Sequence, residues 1–138
     1  MRILAVDPGE KRIGLALSDP SGTIASPLSV LSHVSRMVDA ASIADLANEH
    51  QVTLIVIGKS TSEEGFSTPQ SRRVDRLLIA IQQQCSIPIT TWDENFSTQM
   101  AKQARVVMNT RRNKRRGHLD DIAATVILQS FLDSKKND

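Results

Sequence analysis

Three acidic residues, far apart in the chain, stand at the ends of predicted secondary-structure elements. Asp7 follows a short apolar run, Glu94 follows a β-branched run, and Asp120 opens a helical pattern. Side chains that do chemistry concentrate at such element ends, where a rigid scaffold presents them. Taken singly, each acid also fits a structural role, in a turn, in solvent or at a helix N-terminus. The case for a shared site therefore depends on all three coming together.

Converging carboxylates repel one another unless cations lie among them. Hard oxygen ligands beside a phosphate suit Mg²⁺, so we expect a Mg²⁺ site, with Mn²⁺ as the substitute ion. Two such ions roughly 4 Å apart activate water and stabilise the leaving oxygen in phosphodiester hydrolysis. On this hypothesis Asp7, Glu94 and Asp120 are both the catalytic residues and the metal ligands, and Asp7 bridges the ions.

Basic residues near these acids indicate binding to a nucleic-acid backbone. Lys11 and Arg12 follow the turn after Asp7, where they are either phosphate contacts or simply exposed turn cations. Closely spaced cations repel unless they are solvated or neutralised by phosphates. Such a cluster occupies one short segment: Arg111, Arg112, Lys114, Arg115 and Arg116. Aromatic residues make up only 3% of the chain, which favours backbone contact over base stacking.

A sheet must position these residues, and five segments are predicted strands. The third is predicted at a sheet edge because Pro27 removes a backbone donor. The fourth is apolar on both sides, as expected for a strand covered on both faces. In the second, Ile13, Leu15 and Leu17 share one side. The segments are residues 2–6, 12–18, 23–31, 52–57 and 87–92.

Helical patterns separate and follow these strands. Thr68 before Pro69 is a strong helix start, followed by one apolar stripe. In the first helix, residues 35–50, we expect Asp39 to face water and Met37 to face the core. A third helix is predicted to start at Ser97 or Thr98. A last helix spans residues 118–132, with a frayed tail at 133–138. On its helical face Asp120, but not Asp121, is predicted to point toward the sheet.

Three segments together closely resemble the YqgF family, also called RuvX. The first is Asp7-Pro8-Gly9-Glu10-Lys11-Arg12-Ile13-Gly14-Leu15-Ala16-Leu17-Ser18-Asp19. The second is Trp92-Asp93-Glu94-Asn95-Phe96-Ser97-Thr98, and the third is Asp120-Asp121-Ile122-Ala123-Ala124. The resemblance implies a ribonuclease H-like α/β fold, in which helices flank a five-stranded mixed sheet whose first three strands are antiparallel. The family's three acids map to Asp7, Glu94 and Asp120.

The resemblance also implies a nuclease that processes the 5′ end of pre-16S ribosomal RNA. Holliday-junction cleavage in branched DNA is the alternative, and it requires two symmetric cuts. Two departures leave open a third reading, a catalytically weak RNA-binding module in ribosome assembly. Lys59 and Ser60 stand where the family usually has Leu-Pro, and Asn95 replaces an arginine. Retention of all three acids argues against that reading.

Bulk composition limits the remaining options. The chain has 138 residues, the size of one domain, and a formal net charge of +2. Its single cysteine, Cys85, cannot form an internal disulfide, and no signal peptide or membrane span is evident. We therefore expect a single domain in the cytoplasm, away from membranes, that binds RNA rather than DNA as a monomer or homodimer. His33, His50 and His118 have no metal-ligand spacing and are predicted to be surface residues.

Overall fold

The computed structural model describes residues 1–60, 67–93 and 119–136, with the backbone alone for Leu119, Asp120, Asp121 and Lys136. Its sheet has five strands in the order β3-β2-β1-β4-β5. The first three strands pair antiparallel, whereas β4 pairs parallel to β1 and β5 parallel to β4. This confirms the predicted five-stranded mixed sheet. The strands are β1 (Arg2–Pro8), β2 (Arg12–Ser18), β3 (Ala25–Ser32), β4 (Val52–Lys59) and β5 (Ile89–Asp93).

A tight turn joins β1 to β2. The N–H of Gly9 donates to the carbonyl oxygen of Arg12 at 2.9 Å. A Cβ at Gly9 would lie 2.6 Å from that same oxygen, so only glycine allows the two backbones to approach this closely. The turn closes the hairpin directly after Asp7 and Pro8, and it therefore determines where β1 ends.

Helices cover both faces of the sheet in the described part of the chain. The helices are α1 (Arg36–Glu49), α2 (Pro69–Gln84) and α3 (Leu119–Lys136). Along β1, Leu4 and Val6 pack in one apolar cluster with α1 and α2, whereas Ile3 and Ala5 pack in another with α3. This is the alternation expected of a strand buried on both sides. Within the described residues, no helix is long and apolar enough to cross a membrane.

Local capping chemistry starts α2 where the sequence predicts it. Ser71 N–H donates to Thr68 Oγ1 at 3.0 Å, and Thr68 N–H donates to Ser71 Oγ at 2.8 Å. Pro69 occupies the first turn, where its missing N–H has no cost. Other helix boundaries differ from expectation: α3 continues to Lys136, so the predicted end at residue 132 is too early. The predicted helix from Ser97 or Thr98 lies outside the described residues.

The inward face of α1 differs from its predicted face. Asp39 is buried, with 4% of its surface exposed, and Met37 is 68% exposed. The Asp39 carboxylate accepts a hydrogen bond from Val34 N–H at 3.1 Å and is hydrogen-bonded to His33 Nδ1 at 2.5 Å. These two partners, both before the helix, satisfy the buried charge. The prediction was wrong because it placed the buried stripe by residue polarity alone.

Candidate active site

Asp7 lies near the end of β1, the middle strand of the sheet, and is partly buried. By strand alternation it continues the row of Ile3 and Ala5, so its side chain belongs to the face that α3 covers. Across the hairpin Asp7 pairs with Gly14. Directly opposite residues share a face, so β2 presents no side chain at the one position directly opposite Asp7. The site predicted from sequence thus has one acid at a central strand end.

The strand that precedes Glu94 ends at the same edge of the sheet. Because β1, β4 and β5 are parallel, their carboxyl ends meet at one edge, and β5 lies two strand spacings, about 10 Å, from β1. Trp92 of β5 faces α3. Its Nε1–H donates to Ser130 Oγ at 2.9 Å, and its ring meets Phe131 edge to face at 5.4 Å. Glu94 itself lies outside the described residues.

Helix α3 approaches the sheet on the face to which Asp7 belongs. It packs on β1, β2 and β3, and Ala124 and Leu128 are fully buried in that contact. The backbone of Asp120 lies in its first turn, but the Asp120 side chain is not among those described. Among the side chains that are described, no group of three His, Cys, Asp or Glu residues could hold a metal ion. Two of the three predicted ligands lie outside that set, so the ligand set stays a prediction.

The predicted phosphate contacts fall into two groups. Lys11 and Arg12 are exposed at the β1–β2 turn, on the edge where Asp7 lies. The turn is tied to β3, because His33 N–H donates to the carbonyl oxygen of Lys11 at 2.9 Å. The basic segment, Arg111, Arg112, Lys114, Arg115 and Arg116, lies outside the described residues.

Lys59, one of the two departures from the family pattern, has a partner within the fold. Its ammonium group donates to Asp75 Oδ1 on α2 at 2.9 Å. The next residue, Ser60, donates to Gln70 Oε1 at 3.0 Å from both its N–H and its hydroxyl. Lys59 and Ser60 therefore join the end of β4 to the start of α2. Asn95, the second departure, lies outside the described residues.

A groove of about 410 Å³ lies beside the β1–β2 turn and corresponds to no site predicted from the sequence. Pro8, Ile13 and Leu77 contribute apolar surface to its lining, and Arg36 and Arg73 contribute guanidinium groups. In sequence these arginines resemble ordinary solvated cations on a helix, because neither belongs to a motif that would indicate a binding site. Only the packing of α1 and α2 on one face of the sheet brings the five residues together.

The chain matches one protein family and several curated relatives over nearly its whole length. The family model for RuvX, described as a Holliday junction resolvase, matches residues 1–134. A protein of Thermoanaerobacter pseudethanolicus is 38% identical over 138 residues, covering 99% of both chains. One of Roseiflexus is 36% identical over 135 residues, covering 98% of this chain and 96% of its own. Both carry the name "Putative pre-16S rRNA nuclease".

Solved structures agree on the fold. Thermus thermophilus RuvC, in complex with a Holliday junction substrate, superposes with a TM-score of 0.66 at 14% identity, covering 99% of this chain and 96% of its own. The fowlpox virus resolvase, in complex with Holliday junction DNA, gives 0.60 at 16% identity, covering 98% and 99%. The predicted ribonuclease H-like fold is confirmed. The chain belongs to the RuvX family, and its enzyme class is that of a nuclease, which hydrolyses phosphodiester bonds.

Proposed function

We propose that this chain is a metal-dependent endonuclease that processes the 5′ end of pre-16S ribosomal RNA in the bacterial cytoplasm. One observation carries the proposal: Asp7, the last residue but one of the middle strand, belongs to the face covered by α3, at the edge where β5 also ends. Helix α3 begins with Asp120 in its first turn, and Glu94 directly follows β5. The names of the curated relatives support the RNA substrate.

The donor set suits a divalent cation. Asp7, Glu94 and Asp120 would hold Mg²⁺, or Mn²⁺ in its place, through carboxylate oxygens, the ligands that these hard ions prefer. The bound metal would activate water and offset charge on the leaving oxygen. Asp7 suits the central position, since its place near the partly buried end of β1 limits its movement and the residue directly opposite it, Gly14, has no side chain. Such restraint keeps the carboxylate oriented before substrate arrives.

Cations outside the acidic centre would hold the substrate by its phosphates. Lys11 and Arg12 are exposed at the same sheet edge, within the turn that follows Asp7. The basic segment from residue 111 to 116 would neutralise further phosphates along the strand. Contacts of this kind orient a strand without reading its bases. Such phosphate contacts suit an enzyme that recognises the shape of its nucleic-acid substrate rather than its base sequence.

The test is cleavage of a labelled RNA that spans the 5′ end of pre-16S rRNA, in Mg²⁺ or Mn²⁺. We expect cleavage by the wild type and none by Asp7→Asn. Asp45→Asn is a matched control, because it removes an exposed acid from α1 without touching the sheet edge. Absence of any Asp7-dependent cleavage would support the RNA-binding module instead.

Holliday-junction resolution is the second candidate, and the family model's description favours it. The same experiment therefore includes a four-way DNA junction and an unbranched duplex of equal sequence. Symmetric paired cuts in the junction, with the ribosomal precursor left intact, would replace the RNA assignment with this one. Cleavage of the RNA alone would exclude it.

A further inference from the structure

We propose that the groove beside the β1–β2 turn is a subsite for one unpaired nucleotide of the substrate strand, next to the phosphate that is cut. The inference rests on the proposed nuclease function and extends it. It assigns a binding role to Arg36 and Arg73, which lie outside both the three acids and the predicted phosphate contacts.

The size and lining of the groove fit a nucleotide. Its volume of about 410 Å³ lies within the range of about 300 to 1,000 Å³ that is typical of small-molecule sites. Ile13 and Leu77 belong to the apolar core and form the apolar floor of the groove, against which the edge of a base can lie. The guanidinium planes of Arg36 and Arg73 can stack on a base or pair with its phosphate. A lining of this kind accepts any base, because every base has an apolar face.

The charges around the groove allow a phosphate to bind there. Arg73 has one acidic partner, Glu10, at 3.7 Å, and the Glu10 side chain is 82% exposed. An exposed pair of this geometry contributes little, so a phosphate can replace Glu10. Glu10 and Asp39 also line the groove, but Glu10 is mostly exposed and the Asp39 carboxylate is already hydrogen-bonded to Val34 N–H and to His33. The arginines therefore remain available to an incoming anion.

Position relative to Asp7 gives the groove its proposed role. Pro8 lines the groove and directly follows Asp7, and successive strand residues point to opposite faces. The groove and the Asp7 carboxylate thus lie on opposite sides of the same sheet edge. A strand that crosses the β1–β2 turn would place one phosphate near Asp7 and turn the adjoining nucleotide into the groove. The hydrogen bonds Gly9 N–H to Arg12 and His33 N–H to Lys11 hold this turn in place.

The experiment compares Arg36→Gln and Arg73→Gln with Arg72→Gln. Arg72 is the matched control, since it is exposed on the same turn of α2 but does not line the groove. The probes are fluorescein-labelled 12-nucleotide single strands, as RNA and as DNA, bound in Ca²⁺ to limit cleavage. Loss of one charged contact should weaken binding roughly tenfold in each groove variant and much less in Arg72→Gln. Thermal midpoints should match that of the wild type, because Arg36 and Arg72 are exposed and Arg73 is partly exposed.

A second measurement locates the nucleotide. One abasic residue is moved along the strand, and cleavage of each probe is followed in Mn²⁺. In the wild type we expect an abasic residue at a single position beside the cut to lower the rate roughly tenfold, the scale of one stacked base. In Arg36→Gln and Arg73→Gln that position should lose its effect, since the subsite is already impaired.

The outcomes separate the subsite from the nuclease. If Asp7-dependent cleavage occurs but the groove variants bind as Arg72→Gln does, the subsite is overturned and the nuclease stands. An abasic effect that is equal at every position overturns the subsite as well. If the wild type binds neither probe while it cuts the pre-16S RNA, the subsite fails alone; if it also leaves the pre-16S RNA uncut, the proposed function fails and the subsite fails with it. A position-specific effect in either RNA or DNA supports the subsite.

Discussion

At the scale of the residue, the position of Asp7 matters more than its identity. Many aspartates occupy turns, and this one is followed by a proline and a glycine that form one. What distinguishes Asp7 is its place on the middle strand, facing α3 and opposite a glycine. On the proposed function, this carboxylate would hold a cation together with Glu94 and Asp120.

Asp7→Asn should therefore abolish cleavage while the thermal midpoint, measured without metal, stays equal or rises. The physical reason is that, in the proposed site, this change removes one of three mutually repelling charges. Calorimetry in EDTA and a cleavage assay in Mn²⁺ provide the two readouts, with Asp45→Asn as control. A large drop in the midpoint would instead indicate that Asp7 holds the turn together.

Asp120 and Asp121 are neighbours at the start of α3, and only Asp120 is predicted to be catalytic. Helical periodicity places position 120 in line with Ala124, which is fully buried against the sheet, and position 121 in line with Thr125, which is partly exposed. We expect Asp120→Asn to abolish cleavage and Asp121→Asn to keep much of it. Both changes remove one charge from the same helix turn, so any dipole effect is matched. Equal loss in the two variants would contradict the assignment of Asp120.

At the scale of the element, the β2–β3 turn shows how one acid organises a loop. Asp19 Oδ1 accepts hydrogen bonds from Thr23 N–H at 2.8 Å and Ile24 N–H at 2.9 Å, and Oδ2 accepts one from the Ser21 hydroxyl. The contacts from Ile24, Ser21 and Thr23 lower the pKa of Asp19 well below its ordinary value of 3.8. The ionised form is thus favoured by folding.

The stability contributed by Asp19 should depend on pH in one direction. Because its pKa is lower in the folded chain, the contribution is fully present above the ordinary value of 3.8 and is lost as pH falls below it. Asp19→Asn should therefore lower the thermal midpoint by a few degrees at pH 7, and the gap from wild type should narrow toward pH 2. Thermal melts across this range measure the gap. A gap that is independent of pH would mean that the carboxylate charge is not involved.

The basic segment is a second element with a testable role. Its five cations are expected to hold phosphates without reading bases, because they are dense and few aromatic residues lie near them. On a single strand, log K falls by roughly 0.7 per phosphate contact for each unit of log salt. Replacing Arg112, Lys114 and Arg115 by alanine should thus reduce the salt slope by about two.

Fluorescence anisotropy in Ca²⁺, on two unrelated sequences, measures this slope. Sequence preference should barely change in the triple variant. An unchanged slope would show that the segment takes no part in binding. A loss of affinity confined to one sequence would show that it reads bases.

At the scale of the whole molecule, the two faces of the sheet have different proposed roles. The α3 face has Asp7, and the face of α1 and α2 has the groove with Arg36 and Arg73. Both lie at the same edge, joined by the β1–β2 turn. If the proposed subsite is correct, a single chain would bind one strand on both sides of this turn, as trimming of a single RNA end requires.

We accordingly expect one chain to bind one single-stranded RNA. Sedimentation velocity of the Asp7→Asn protein, alone and with the 12-nucleotide RNA, should show a monomer and a one-to-one complex. A four-way DNA junction provides the comparison, because paired cuts require two active sites related by a twofold axis. A stable dimer that forms only on the junction would favour resolution of branched DNA over RNA processing.

Local chemistry explains what the sequence by itself determined. Strand β2 matches its predicted bounds, and α2 starts after Thr68, because side-chain alternation and capping act over only a few residues. The start of β5 was predicted two residues too early. Pro88 precedes it, and its carbonyl oxygen accepts from Ile55 N–H at 2.9 Å. The family was also recognisable from short motifs, and the comparisons confirm it.

Tertiary structure decided which side chains meet across the chain. The inward turn of Asp39 depends on His33 and Val34, and the partner of Lys59 is Asp75 on another element. The groove exists only because Arg36 on α1 and Arg73 on α2 pack beside the same turn. Neither hydrophobic periodicity nor local propensity predicts these pairings, because the pairings follow from how the helices pack on the sheet. The sequence thus predicted most of the described elements and leaves the three acids as a prediction, whereas packing decided the surroundings of Asp7.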